Sequence, residues 1–282
     1  MLVRAYAKIN LGIHIVRKRE DGFHELRTIF HCVNISDEII FSKIDRGISL
    51  HTNLPYIPTD KRNLCFRAAE LILQETGYRQ GIHMQLQKNI PVGAGLGGGS
   101  ADAAAVLLHL PDFLDTKIEL NRRKLFAESL GSDVPFFLES KSAYATGRGE
   151  VLDYFDLALP YWIAVVYPDL HVSTPWAYSH LQLNPNLPMF DMKEFVLSNL
   201  HQPVELVNKL RNDFEPAVFS SFPEVMRTKE LLYRTGADFA LMSGSGSCVF
   251  GLYKNEYDVR EAEKFISKTY PLFITPPRWE PS

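Results

Sequence analysis

The sequence predicts an α+β fold in two domains. Segments of strand and helix character follow one another along 282 residues without a strict βαβ rhythm. The run Tyr161-Trp162-Ile163-Ala164-Val165-Val166-Tyr167 is apolar throughout and reads as a buried central strand behind Pro160, which places the boundary between domains 1–159 and 160–282. A chain of this length can bury one large core or two moderate ones.

Residues 3–16 alternate loosely and read as a strand. Arg19-Glu20-Asp21-Gly22 is a hairpin turn that returns the chain as a second strand over Phe23–Val33. Glu38–Lys43 and Gly47–Thr52 are two further strands, split at Asp45-Arg46-Gly47. Asn63 to Thr76 is helical, with Leu64, Ala68, Leu71 and Ile72 on one face and Gly77 closing it. His83–Ile90 alternates with period two. A helix from Ser100 stops at Leu110, before Pro111, and a second over Asn121–Leu130 ends at Gly131. Ala143–Tyr154 contains the turn Gly147-Arg148-Gly149. The region 170–215 is poorly periodic apart from helices over Met192–Asn199 and Val204–Asn212. Glu224–Thr235 is a helix, Cys248–Tyr253 a strand and Tyr257–Thr269 a final helix.

Composition excludes several classes of function. The chain is 46% hydrophobic and 22% charged with a net charge of −3, so nothing global draws it to nucleic acid or an anionic membrane. Cys32, Cys65 and Cys248 are far apart, with neither metal spacing nor a disulfide framework, which suggests a reducing compartment. Met1–Lys8 lacks the apolar stretch of a signal peptide. The longest segment without Asp, Glu, Lys or Arg, Leu170–Phe190, contains three prolines and cannot span a membrane. A cytoplasmic enzyme acting on small molecules is expected.

Chemistry concentrates in Pro91-Val92-Gly93-Ala94-Gly95-Leu96-Gly97-Gly98-Gly99-Ser100-Ala101. This uncharged stretch holds five of the 17 glycines and feeds the helix-forming run Asp102–Leu108. A glycine turn at a helix N-terminus is an anion site: backbone N–H groups can approach phosphate oxygens, and the helix dipole favours negative charge. Gly93-x-Gly95-x-x-Gly98 also matches the dinucleotide fingerprint, but the strand before it carries Gln85, Gln87 and Lys88 where that motif needs an apolar parallel strand. A Walker loop is excluded because no Gly-Lys-Ser/Thr follows. A protein-kinase glycine loop lies between strands, not before an Ala-rich helix. A merely tight turn would not need so much glycine.

The loop resembles the second motif of the galactokinase, homoserine kinase, mevalonate kinase and phosphomevalonate kinase superfamily, the GHMP kinases. Ala7-Lys8-Ile9-Asn10-Leu11-Gly12 resembles the first motif, and Met242-Ser243-Gly244-Ser245-Gly246-Ser247-Cys248-Val249-Phe250 the third. With Arg19–Leu26 and Leu130-Gly131-Ser132-Asp133-Val134-Pro135-Phe136-Phe137, the chain is similar to the branch that phosphorylates a cytidine-diphosphate-linked alcohol in the non-mevalonate route to isoprenoids. The resemblance covers nearly the whole chain. It implies an N-terminal ATP-binding domain like domain 2 of ribosomal protein S5 and a C-terminal substrate-binding domain resembling ferredoxin-like folds, with the active site in the cleft between them.

The implied reaction moves the ATP γ-phosphoryl group to an alcohol, chemistry that rests on positioning and charge stabilisation. Residues 91–101 would cradle the phosphates, and Ser100 would contact phosphate or the Mg²⁺ that accompanies ATP. Asp133 is the carboxylate for the attacking hydroxyl, as general base or as an orienting group. Its other reading is a turn-forming Asp. The resemblance pairs Lys8 with the Asp133 position, to hold it ionised and to stabilise the transferring charge. Lys8 also reads as a strand-edge residue facing solvent.

For the cytidine end, the resemblance implies His24 at the cytosine edge beside Phe23, with Phe30 a further aromatic nearby. It implies Tyr178 as the stacking ring and contacts from Thr174 and Ser245. Asn10 would meet the alcohol end, and Asn63 the adenine side of ATP. Core packing and hairpin capping are the plainer roles for these residues. Three positions depart from the usual pattern: Phe23 stands where Tyr is common, Ala94 where Gly is usual, and Ala101 where a second Ser is frequent. Ala94 is tolerated only at negative φ. The alternatives are another GHMP small-molecule kinase of mevalonate or homoserine type, and a catalytically silent relative that binds a metabolite. A monomer or weak homodimer is expected.

Overall fold

The computed structural model describes residues 1–183 and 190–281. By packing, the chain divides into two compact units that do not follow chain order. One comprises Met1–Ala7, Ile35–Pro91 and Gly97–Ser140; the other comprises Lys8–Asn34, Val92–Leu96 and Lys141–Ser282.

In the first unit, strand β1 (Leu2–Lys18) begins and β2 (His24–Ile44) ends. The second half of β2 pairs antiparallel with β4 (Gly81–Gln87), which pairs in parallel with β3 (Ile48–Thr52). Helices α1 (Leu64–Thr76), α2 (Gly98–Phe113) and α3 (Leu120–Leu130) pack on one another, and α2 and α3 also pack on a short 3₁₀ helix, Pro135–Leu138. Ala101, Ala103, Ala104, Val106 and Leu107 are all buried, so α2 is a core helix whose small side chains admit close neighbours. Gly77 ends α1 at φ 64°, as its position predicts.

Two expectations change here. The sequence predicts separate strands at 23–33 and 38–43, whereas β2 runs unbroken through Asn34-Ile35-Ser36-Asp37. No Gly or Pro interrupts that segment, and Ile35 and Asp37 keep the inward alternation. Asp37, within it, is a buried acceptor. Helix α2 also continues past Leu110 with Pro111 inside its last turn. The end still closes, because Leu114 N–H bonds the Leu110 carbonyl at 3.0 Å and Thr116 N–H the Pro111 carbonyl at 2.9 Å.

In the second unit, the first half of β2 pairs antiparallel with β5 (Ala143–Thr146), and β5 with β6 (Val151–Tyr154). A four-stranded antiparallel sheet has the order β10-β7-β9-β8, from β7 (Trp162–Val166), β8 (Phe239–Met242), β9 (Val249–Tyr253) and β10 (Leu272–Thr275). The predicted central strand β7 is indeed internal. Helices α8 (Pro223–Arg234) and α9 (Glu256–Ile266) pack on this sheet. Val225, Leu232, Val259, Ala262 and Ile266 meet Ala164, Val166, Ala240 and Val249 in one core.

Helices α5 (Met192–Asn199) and α6 (Pro203–Lys209) fall where the periodicity places them. Helices α4 (Thr174–Ser179) and α7 (Glu215–Ser221) and strand β10 are not visible in the sequence pattern. Each is too short for a period to register. Strand β10 is also masked by the prolines on either side of it, Pro271 and Pro276. Its partner β7 makes it a strand, with Leu272 opposite Val166 and Thr275 opposite Ile163.

Candidate active site

The glycine loop turns its carbonyls inward. In the second unit the Ala94 carbonyl accepts from Cys248 N–H at 3.1 Å, the Gly95 carbonyl from Ser243 Oγ at 2.9 Å and the Leu96 carbonyl from Lys8 N–H at 3.0 Å. A trans peptide points its N–H opposite to its C=O. The N–H groups of Gly95, Leu96 and Gly97 therefore point to the other side, and three oxygens that would repel an anion are already engaged. Gly93, Gly95 and Gly97 have φ of 64°, 82° and 71°, the left-handed region that favours glycine. Ala94 is buried and is not among the described non-glycine residues with positive φ, so its methyl group is accommodated.

Part of the glycine content serves packing, which sequence reasoning gave wholly to phosphate. A Cβ on Gly95 would lie 2.0 Å from the Ser243 carbonyl oxygen, and one on Gly244 would lie 2.7 Å from the Gly95 Cα. The two glycine turns touch backbone to backbone. The three serines of the second turn are all engaged: Ser243 with Gly95, Ser245 Oγ with Thr174 Oγ1 at 3.0 Å, and Ser247 Oγ with the Leu170 carbonyl. Asn212 holds the same turn by donating to the Met242 and Gly244 carbonyls at 2.8 Å each.

Lys8 is 4% exposed, which overturns the solvent-facing strand-edge reading. Its ammonium donates to Asn10 Oδ1 at 2.6 Å and lies 4.9 Å from the centre of the Phe30 ring. Asn10 Oδ1 also accepts from Gly244 N–H at 3.0 Å, and Asn10 Nδ2 donates to Thr28 Oγ1 at 2.8 Å, which donates on to the Gly12 carbonyl at 2.6 Å. Lys8, Asn10, Thr28 and the 243–247 turn thus form one polar chain in which each group fixes the next. Phe30 is buried, with its ring beside the Lys8 ammonium.

His24 and Tyr178 do meet: their rings stack with centroids 4.9 Å apart and planes at 25°. Tyr178 also packs edge-on against Phe214 at 4.9 Å. Burial and the nearby Lys18 hold the His24 imidazole below its ordinary pKa, so it is neutral near pH 7. Ser173 caps α4 through the Trp176 N–H, which aims Thr174 at Ser245 and Tyr178 at His24. Phe23 is 53% exposed, with the Arg148 guanidinium 4.8 Å from its ring centre.

The first unit carries the start of α2. Gly97 is its N-cap, so no side chain caps it, and its first turn holds no acidic residue. A Cβ on Gly99 would meet no described atom within 4 Å. A bare helix N-terminus beside open space suits a phosphate group. Ser100, half-buried, lies in the same first turn. Asp133 is half-buried in the turn between α3 and the 3₁₀ helix, which packs on α2. Asn63 caps α1: its Oδ1 accepts from Cys65 N–H at 2.9 Å, and its Nδ2 donates to the Pro58 carbonyl at 2.9 Å.

The chain's similarities to known proteins agree with this geometry. The profile described as GHMP kinases N terminal domain matches residues 63–141, and that described as GHMP kinases C terminal matches 192–272. Over 280 residues, 98% of this chain and 97% of its relative, the sequence is 43% identical to a protein of Pelodictyon phaeoclathratiforme named 4-diphosphocytidyl-2-C-methyl-D-erythritol kinase. The chain belongs to that kinase family, within the GHMP kinases. A relative of the same name from Chlorobium phaeovibrioides is 43% identical over 281 residues, 98% of this chain and 96% of its own length. A crystal structure titled 4-(cytidine 5'-diphospho)-2C-methyl-D-erythritol kinase matches this kinase with a TM-score of 0.84 at 35% identity, covering 99% of this chain and 100% of its own. A homoserine kinase from Cytophaga hutchinsonii shares the fold at a TM-score of 0.72 and 18% identity, over 98% of this chain and 95% of its own. The two-domain architecture expected from the motifs is that of the family.

Sequence reasoning missed Thr28, Asn212 and a buried triad in the first unit, Lys88, Asp37 and Asp102. The triad had a signal. Asp102 is an acid inside the run Ala101-Asp102-Ala103-Ala104-Ala105, and a charge within a buried helix face calls for a partner. Among the described residues no group of three His, Cys, Asp or Glu could hold a metal ion, and no helix is long and apolar enough to cross a membrane.

Proposed function

We propose that this chain transfers the γ-phosphoryl group of ATP to the 2-hydroxyl of 4-diphosphocytidyl-2-C-methyl-D-erythritol, a phosphotransferase step in the non-mevalonate route to isoprenoid precursors. The observation that carries the reading is near full-length identity of 43% to a kinase named for that substrate, joined to a loop whose carbonyls face away from an anion. The family profiles lie on either side of residue 160, which supports an ATP-binding domain over 1–159 and a substrate domain over 160–282. A monomeric or weakly dimeric cytoplasmic enzyme fits the sequence.

In this reading, N–H groups of residues 91–101 and the bare start of α2 hold the ATP phosphates. Asn63 sets the start of α1 on the adenine side. Mg²⁺ bound with ATP supplies charge neutralisation on the phosphates. The chain offers it the Ser100 hydroxyl, which suits an ion that keeps phosphate and water ligands in preference to an all-protein cage. Asp133 orients the attacking hydroxyl and takes up its proton. The Lys8 ammonium, already held by Asn10 and Phe30, faces the developing phosphoryl charge. Asn10 reaches the alcohol end. His24, neutral, can both donate to and accept from the cytosine edge, while Tyr178 offers its face and Phe23 borders the same turn. Thr174 and Ser245 hold α4 in place beside that ring.

Turnover with the cytidyl alcohol, mevalonate and homoserine tests the substrate. Activity on the cytidyl alcohol alone is expected, and activity on either of the others without it would transfer the assignment to another GHMP type. Asp133→Asn is expected to lower kcat by roughly 10²–10⁴-fold, the range for a general base. A wild-type rate would remove Asp133 from the chemistry, and no turnover of any alcohol by the unaltered chain would favour a silent metabolite binder.

A further inference from the structure

Both ends of the glycine loop are tied to one buried ammonium. Lys88 directly follows β4, which leads into the loop, and its Nζ donates to Asp102 Oδ2 at 2.6 Å in the second turn of α2 and to Asp37 Oδ2 on β2. Asp37 Oδ1 accepts from the N–H groups of Asn89 and Ile90 at 2.6 and 2.8 Å, the first residues of the loop stem. Asn53 grips the Lys88 backbone at both atoms, accepting from its N–H at 2.8 Å and donating to its carbonyl at 3.1 Å. All three charged side chains are at most 5% exposed. A Cβ on Gly98 would lie 3.0 Å from Ile90 Cγ2 and 3.3 Å from Lys88 Nζ, so glycine at the first residue of α2 lets the ammonium reach beneath the helix start.

We propose that Lys88, with Asp37 and Asp102, is a positioning group for ATP: it locks residues 88–90 to residues 98–102 and so sets the phosphate loop and the first turn of α2 before the nucleotide arrives. The proposal rests on the reading that ATP phosphates lie on that loop. Taking three charged groups out of water is expensive, and an apolar trio of the same volume would hold the fold as well or better. What an apolar trio does not supply is register. Hydrogen bonds of fixed length fix both stems relative to each other, at residues that the bonds to the 94–96 carbonyls do not reach. Burial works against charge throughout the triad and, with Asp37 beside it, raises the Asp102 carboxyl well above the usual carboxylate range; at Lys88 the two acids outweigh burial and push its pKa up to about 12, so the ammonium stays charged.

The loop need only be displaced to weaken ATP binding. If the unpinned loop keeps the binding conformation about a tenth of the time, the apparent Kd for ATP rises about tenfold. Lys88→Met in the full-length enzyme is expected to do this to the Kd and KM of ATP while leaving the KM of the alcohol unchanged. Asp102→Asn keeps the shape and is expected to shift ATP the same way by less. A merely structural triad would lower thermal stability and leave the ATP Kd of the folded enzyme at the wild-type value, which would overturn the proposal. Should Lys88→Met not fold, Asp102→Asn decides between the same two results. Gly99→Asp is the control. If it abolishes ATP binding while the triad variants do not alter it, the positioning proposal alone falls. If none of the three alters ATP binding, the assignment of the loop to ATP falls with it.

Discussion

The turns at 93–97 and 243–247 are both rich in glycine, and they do different work. In the second, Gly244 permits contact with Gly95, its N–H ties the backbone to Asn10 of β1, Asn212 holds the turn's own carbonyls, and the three serines bond to the first turn, α4 and the Leu170 carbonyl. In the first, the carbonyls of residues 94–96 are tied down and the N–H groups are presented on the other side, ahead of a helix start with no cap. Glycine allows close approach in both cases. In one the approaching group is the protein's own backbone; in the other the geometry is that of an anion site. A glycine count cannot separate these roles, whereas the fate of the carbonyls can.

Substitutions can break that distinction. Gly95→Val should have the largest effect on stability, because it forces a side chain into φ 82° and against the Ser243 carbonyl 2.0 Å away. Strain and overpacking together should remove about 3 kcal/mol or more in urea unfolding. Unchanged stability would mean that the two turns do not need each other. Tyr178→Ala asks whether the second turn serves the alcohol substrate, since Ser245 holds α4 through Thr174. It should raise the KM of the cytidyl alcohol by the equivalent of roughly 1–3 kcal/mol of lost stacking, with the KM of ATP unmoved. A shift in ATP instead would erase the division of labour.

The fold class was legible because strand alternation, the apolar run at 161–167 and helix-ending Gly77 and Gly131 are local signals. Strand β10 was not, since four residues between prolines become a strand only against β7. At the site, Lys8 and the glycine loop could be named from their motifs, but not their surroundings. The bond from Gly244 N–H to Asn10 Oδ1 joins residues 234 positions apart, and no spacing rule reaches that far. Nothing local in the sequence marks Asp37, and only its buried bonds to residues 88–90 reveal its role.

Calorimetric titration of Gly99→Asp with ATP, alongside its melting temperature, tests the anion site most directly. Gly99 borders open space at the start of α2, and an acid in the first turn of a helix stabilises it by roughly 0.3–1 kcal/mol. The same carboxylate would stand where a phosphate is expected. The account predicts a melting temperature equal to or above that of the unaltered chain, with ATP affinity lower by about a hundredfold or more, roughly 2.8 kcal/mol. A folded Gly99→Asp variant that binds ATP as tightly as the unaltered chain would contradict it.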